Sequence, residues 1–203
     1  NLSDLANNVQ HGWANYGRML RNSASLEEVV LGRMGNSVWR GEGAVSRVYM
    51  VEMFRECPSL KEFHLKNVFN GSNPRAINFL HLNYNMVNAS FTNCFNGSCV
   101  YKDSTTTDGD YGYNYAAIIG SYVFDRADVY STITFQNCFN GKGSVSRQAV
   151  TSNYGLRRLV VRNCGNGDSP LMDAFTQNSL RLTDVEIDNV GNGRNASLYR
   201  FFW

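Results

Sequence analysis

Five stretches of the chain repeat one pattern of apolar and polar positions. Apolar residues fall at the first, fourth and sixth positions, with Val or Cys at the ninth. The sets are Leu60, Phe63, Leu65, Val68; Met86, Ala89, Phe91, Cys94; Tyr130, Ile133, Phe135, Cys138; Leu156, Leu159, Val161, Cys164; and Leu182, Val185, Ile187, Val190. Alternation across the fourth to sixth positions predicts a short strand with one face inward. Strands one period apart are expected to stack in parallel, about 4.8 Å from their neighbours. The eighth position is always Asn (Asn67, Asn93, Asn137, Asn163, Asn189), and the eleventh is always Asn followed by Gly (Asn70, Asn96, Asn140, Asn166, Asn192). Stacked amides can bond along the ladder or satisfy backbone groups at a turn, and Asn and Gly tolerate the left-handed conformation of a tight turn. The tenth position holds Phe69, Phe95 and Phe139, then Gly165 and Gly191, so an aromatic stack is expected to run partway and stop.

The segments LKNVFNG, FTNCFNG, FQNCFNG, VRNCGNG and IDNVGNG start at 65, 91, 135, 161 and 187, at intervals of 26, 44, 26 and 26. The long interval reads as one period plus an 18-residue insertion near 101–118. That stretch contains YKDSTTTDGDYGYN, polar and rich in tyrosine, and reads as an exposed loop.

The pattern L-x-x-L-x-L-x-x-C/N resembles the leucine-rich repeat, in its cysteine-containing subtype of about 26 residues. Residues 53–65, MFRECPSLKEFHL, also look like a variant found in bacterial surface proteins. The N-G after the ninth position stands where that family places another leucine. The resemblance implies an α/β solenoid over 44–203, with a helical or irregular second half in each period. Ser169-Pro170 before LMDAF is a helix-start signal; 144–153 and 72–80 are weaker ones, and 44–57 reads as an amphipathic helix. Residues 1–43 read as a helical N-terminal cap, which a solenoid needs over its first coil. One helix is expected in SDLANNVQHGWANYGRML and a second in SLEEVVLGRM, behind the capping box Ser25-x-x-Glu28. A parallel β-helix is the alternative fold.

Composition now has a meaning. Asn accounts for 25 of 203 residues, and ten of these sit in the two repeat columns. A net charge of +2 carries no clustered basic footprint of a nucleic-acid binder. No apolar run reaches the roughly 18 residues of a membrane span. The chain starts at Asn1 without Met, which reads as processing, trimming or a fragment.

Cys94, Cys138 and Cys164 share the ninth column and read as buried, reduced thiols. A short-loop Cys94–Cys99 disulfide is a minor alternative, and Cys57 lies off the ladder. Five cysteines without a CxxC indicate neither a disulfide framework nor a zinc knuckle. No HExxH, GxSxG or P-loop pattern occurs, so no catalytic residue, metal site or cofactor is assigned. Asp103, Asp108 and Asp110 lack EF-hand spacing and read as solvated rather than calcium-binding.

The outward third, fifth and seventh positions are Glu62, His64, Lys66; Asn88, Ser90, Thr92; Thr132, Thr134, Gln136; Arg158, Val160, Arg162; and Asp184, Glu186, Asp188. In-register stacking predicts Arg158 beside Asp184 and Arg162 beside Asp188. The neutral middle resembles a glycan or peptide groove as much as a solvated sheet. The candidate ligand-binding residues are His64, Ser90, Thr92, Thr134 and Gln136, with Tyr111, Tyr113 and Tyr115 of the insertion, since Tyr supplies rigid contact area. Sequons stand at Asn1, Asn70, Asn88, Asn96 and Asn195; a glycan on Asn70 or Asn96 would interrupt the ladder. The terminal stretch with Leu198, Tyr199, Phe201, Phe202 and Trp203 is expected to pack against a partner or a further length of chain.

These features point to a non-enzymatic recognition or structural module of a larger assembly, such as a bacterial surface protein or a virus-particle component. A host-ligand adhesin working through the Tyr-rich insertion and a glycan-active β-helix enzyme are the alternatives.

Overall fold

The computed structural model describes residues 13–15, 18–34, 47–71, 74–97, 116–119, 123–126 and 128–202. Among them lie sixteen strands and no helix. In chain order these are β1 (Trp13–Asn15), β2 (Glu28–Gly32), β3 (Arg47–Val51), β4 (Phe54–Arg55), β5 (Glu62–Lys66), β6 (Pro74–His81), β7 (Asn88–Thr92) and β8 (Ala116–Ile119). They continue as β9 (Ser131–Gln136), β10 (Val145–Arg147), β11 (Val150–Thr151), β12 (Leu156–Arg162), β13 (Leu171–Asp173), β14 (Thr176–Gln177), β15 (Asp184–Asp188) and β16 (Ser197–Tyr199).

The strands form three parallel sheets. One runs β2-β5-β7-β9-β12-β15. A second runs β1-β3-β6-β8-β11-β14, with β4 also on β6, and the third is β10-β13-β16. Successive turns of the chain lie on one another, an arrangement compatible with a parallel β-solenoid. The six-stranded sheet keeps the register expected from the repeat: Glu62 pairs with Asn88, Asn88 with Thr132, Thr132 with Arg158 and Arg158 with Asp184.

The expected helices are strands or turns wherever they are described. SLEEVVLGRM contains β2, whose Glu28 pairs with Glu62. Leu26, Val29, Leu31 and Met34 occupy the first, fourth, sixth and ninth positions, so the six-stranded sheet begins before residue 44. The interval of 34 residues from Glu28 to Glu62, and Arg33 where later coils have Asn, hide this rung from the repeat. Of SDLANNVQHGWANYGRML the described parts are β1 and a turn at 18–20. Residues 44–57 hold β3 and β4, 72–80 hold most of β6, 144–153 hold β10 and β11, and LMDAF begins with β13. Left-handed residues interrupt these segments at Glu52, Glu56, Gln148, Ser152, Ser169 and Ala174. An α-helix cannot pass through such residues. The expected insertion near 101–118 also ends inside β8, which pairs with β6 and β11.

Two asparagine columns bolt the coils together. The eighth-position asparagines all have positive φ, between 50° and 56°. Four of the five eleventh-position side chains bridge to the next coil twice. Asn140 Oδ1 accepts the Asn166 N–H at 2.8 Å, and Asn140 Nδ2 donates to the Asn163 carbonyl at 2.9 Å. Asn70, Asn96 and Asn166 make the same pair of bonds. The following glycines lie so close that a Cβ on Gly141 would sit 2.0 Å from the Gly97 carbonyl oxygen. Only a residue without a side chain lets the coils approach there.

Inside, the fourth- and sixth-position side chains form buried columns, as expected. Phe69, Phe95 and Phe139 stack at 5.1 and 5.3 Å. The stack stops at Gly165, where Met172 fills the space: a Cβ there would meet its Sδ at 2.7 Å. Cys57, Cys94, Cys138 and Cys164 are buried, free thiols, and Cys99, the expected minor partner of Cys94, lies outside the described residues. Burial pushes the Cys138 thiol well up, which keeps it protonated and unreactive.

At the N-terminal side, where a helical cap was expected, residues 18–26 are tied to the next coil by charge. Arg18 pairs with Glu52 at 2.9 Å, Arg55 with Glu52 at 2.6 Å, and Arg21 with Glu56 at 3.1 Å. Burial alone would raise the Glu52 pKa, but the Arg18 hydrogen bond and the Arg55 charge outweigh it and hold the carboxyl below its ordinary value. Glu56 is also held low, chiefly by its hydrogen bond from Arg21.

Two predictions follow from this construction. Asn140→Ala leaves a backbone N–H and a carbonyl unpaired, each costing about 1–3 kcal/mol, and Gly141→Ala should cost more, because it separates two coils. Urea unfolding measures both, and a Gly141→Ala protein as stable as wild type would refute the close approach. Because Glu52 has a depressed pKa, its contribution is complete above the unfolded carboxylate value of about 4.3 and is lost as pH falls through the lower folded value. Glu52→Gln should therefore flatten the decline of stability across that acid window; an unchanged slope would rule the pairing out.

Candidate functional site

The outward face of the six-stranded sheet brings the expected residues together, because every register pair is retained. The central column runs Val30, His64, Ser90, Thr134, Val160, Glu186. His64 Nδ1 and Ser90 Oγ are 2.7 Å apart, and His64 Nε2 lies 3.5 Å from Glu62 Oε2. Asn88 Nδ2 donates to Glu62 Oε1 at 2.9 Å. Thr134 is the register partner of Ser90, and Gln136 that of Thr92. Tyr111, Tyr113 and Tyr115 lie outside the described residues, as do Asp103, Asp108, Asp110 and Cys99.

A serine bonded to a histidine is the first half of a nucleophile-and-base arrangement. Such chemistry also needs free donors for a developing oxyanion. Here the neighbouring strands on both sides engage the β5 and β7 backbones in ladder bonds. What this part of the face offers is a flat, half-exposed array of hydroxyl, amide and imidazole groups.

Further along, the face becomes charged. Arg158 and Asp184 are register partners and bond at 3.1 Å, as expected. Arg162 and Asp188 are also register partners, but the Arg162 side chain turns diagonally to Glu186 at 2.5 Å. Glu186 lies between the two arginines and also takes Arg158 at 3.1 Å, so one carboxylate bridges both. Tyr130 adds a hydrogen bond to Asp184 at 2.8 Å, a link absent from the expected pairs because Tyr130 precedes its strand. Val160, at an outward position between the two arginines, is only 4% exposed.

The C-terminal end of the stack is different in kind. Phe63, Ala89, Ile133 and Leu159 are almost fully buried, whereas Val185, next in their column, is 43% exposed. Ile187, next after Leu65, Phe91, Phe135 and Val161, is also 43% exposed. Leu180, Leu198, Tyr199 and Phe202 add to this apolar surface. Phe201 is partly covered and stacks on Phe175 at 4.9 Å; Trp203 is outside the described residues. A cavity of about 390 Å³ opens here, lined by Thr176, Asn178, Ser179, Leu180, Leu182 and Phe202. The Thr176 and Ser179 hydroxyls are buried without a hydrogen-bond partner. The opposite end is closed, with Val29 and Leu31 at 6% and 9%. Val185 and Ile187 were legible as the last members of their columns; the cavity was not.

Two sequons are occupied by structure. The Asn70 and Asn96 amides donate to the carbonyls of Asn93 and Asn137, leaving no room for a glycan bond. No group of three or more His, Cys, Asp or Glu side chains converges among the described residues, and they contain no helix long and apolar enough to cross a membrane.

Compared with protein-family models, with curated proteins and with solved structures, the chain matches none.

The charged rows generate one prediction. A double-mutant cycle of Arg158→Ala and Asp184→Ala, read by urea unfolding, should give a coupling of about 0.2–1 kcal/mol that falls with added salt. A coupling of zero at low salt would show that the pair contributes nothing to the stack.

Proposed function

We propose that the chain is a parallel β-solenoid module, related to leucine-rich repeats by its strand-and-turn pattern, that serves as a non-enzymatic structural or recognition part of a larger assembly. A cell-surface or virus-particle setting fits a scaffold of this kind. The observation that carries the reading is the open end: Val185 and Ile187 stand at inward positions yet remain exposed, beside Leu198, Tyr199 and Phe202. An apolar patch on a strand edge is a contact surface, for a partner or for a further length of chain. The outward-face carboxylates support a non-enzymatic role. Glu62 is engaged by Asn88, and Asp184 and Glu186 by arginines, so these three carboxylates are committed to contacts within the face.

The test is site-specific photocrosslinking of the chain in its native setting. A photoreactive residue at 187 or 198 should yield a discrete adduct with one protein, and the same residue at 134, on the outward face, should not. Adducts arising only from position 134 would move the function to the flat polar face. Glycan turnover would replace the reading with the enzymatic one.

A further inference from the structure

We propose that the corner of the stack around Tyr130 and Tyr154 binds a neutral β-linked glycan, with one sugar ring stacked on Tyr130. The site does not rest on the protein contact proposed above. It lies on the side of the coils that carry β9 and β12, and both strands are paired on either edge.

The sequence pattern puts Tyr130 at an inward first position, and the structure moves it outside. β9 and β12 fall out of step at Arg157, and the irregularity pairs Ser131 with Leu156. Ser131 therefore fills the inward slot, buried, with its Oγ donating to the Gly155 carbonyl at 2.8 Å. Tyr130 is left opposite Gly155, beside Tyr154, and is 57% exposed. Its hydroxyl donates to Asp184 at 2.8 Å, two coils further on. A side chain rooted on one coil and anchored on the second coil beyond lies along the stack, with one ring face on the protein and the other in solvent. Tyr84 is 44% exposed and holds the same turn position as Tyr154. Each follows an asparagine, Asn83 or Asn153, whose amide ties the turn to the preceding coil. Tyr84 and Tyr154 stand two coil spacings of about 4.8 Å apart.

The groups around the rings select the ligand. Arg126 and Asp128 form an exposed two-pronged pair, Nε to Oδ1 at 3.1 Å and Nη2 to Oδ2. This segment lies against the coil of Tyr154, because a Cβ on Gly155 would meet the Arg126 carbonyl oxygen at 2.6 Å. Arg158 and Asp184 form a second pair at the anchored end of Tyr130. Each pair sets N–H donors beside carboxylate acceptors while cancelling its own charge. A hydroxyl both donates and accepts, so a ligand rimmed with hydroxyls suits such pairs. A β-linked glucose chain has its hydroxyls at the ring edge and C–H groups on the ring faces, which fits polar pairs flanking an aromatic face. Its rise per ring is close to the coil spacing, so a chain laid along the stack follows the coils from Tyr84 to Tyr154. A nucleic acid needs uncommitted cations, and Arg126 and Arg158 are engaged by carboxylates. A peptide strand needs a free sheet edge, which β9 and β12 do not offer.

The probe is a hexamer of β-1,4-linked glucose, titrated calorimetrically into the full chain, with a hexamer of α-1,4-linked galacturonic acid as the charged control. The neutral hexamer should bind and the acidic one should not. Tyr130→Ala should weaken binding about ten-fold, the worth of one ring contact, whereas Tyr130→Phe, which keeps the ring, should retain most of the affinity. Urea unfolding checks the fold of each variant, and Tyr154→Ala, also expected to weaken binding, carries the same test if Tyr130→Ala does not fold. Thr134→Ala, on the flat polar face, should leave binding unchanged. No binding of the neutral hexamer, tighter binding of the acidic one, or a loss caused by Thr134→Ala and not by the tyrosine variants overturns the proposal.

Discussion

The rest of the structure depends on one interaction, the side-chain amide of the eleventh-position asparagine. Its oxygen accepts a backbone N–H from the next coil and its nitrogen donates to a carbonyl of that same coil. The turn it serves has left-handed residues at the eighth position and, in several coils, at the tenth. Such a turn leaves backbone groups that no strand can pair, and buried unpaired groups are costly. A hydroxyl cannot reach two groups on one partner, and a carboxylate cannot donate, so Asn is the residue the geometry selects. The glycine that follows brings the coils into backbone contact, which fixes their spacing at the turn as the ladder fixes it in the strands.

From that spacing the other features follow. Equivalent side chains stack one above another, so phenylalanines meet face to face in the core and arginines meet carboxylates outside. The same rule that buries a column along the stack exposes its last member. Val185 and Ile187 are inward residues of the last described rung. The two ends are unequal: residues 18–26 are clasped to the next coil by Arg18 and Arg21, while the far end keeps an exposed apolar surface and, among the described residues, hydroxyls without partners.

Much of the six-stranded sheet was legible in the sequence because its period is short and its columns chemically uniform. Five of six rungs, the Asn columns and the end of the Phe stack could be read from spacing alone. The first rung escaped because Leu26, Val29, Leu31 and Met34 suit an amphipathic helix as well as a strand, and because Ser25 and Glu28 mimic a helix cap. The remaining two sheets escaped for a different reason. Their strands are as short as two residues and are separated by left-handed Glu, Gln, Ser and Ala. Those residue types carry no local preference for that conformation, so it is imposed by the coil above and below. Of the candidate face, the positions of His64, Ser90, Thr92, Thr134 and Gln136 were readable. The His64–Ser90 bond, the diagonal of Arg162 and the cavity beside Ser179 depend on rotamers and backbone shape.

The sequence by itself determined the repeat, its register and the identity of the residues at each position, because a period encodes which residues are neighbours in space. Only the tertiary structure decided that the described second half of each coil holds strands and no helix, and that the inward side chains of the first rung are buried while those of the last described rung are exposed. Those outcomes come from contacts between coils, where backbone pairing overrides weak local propensity.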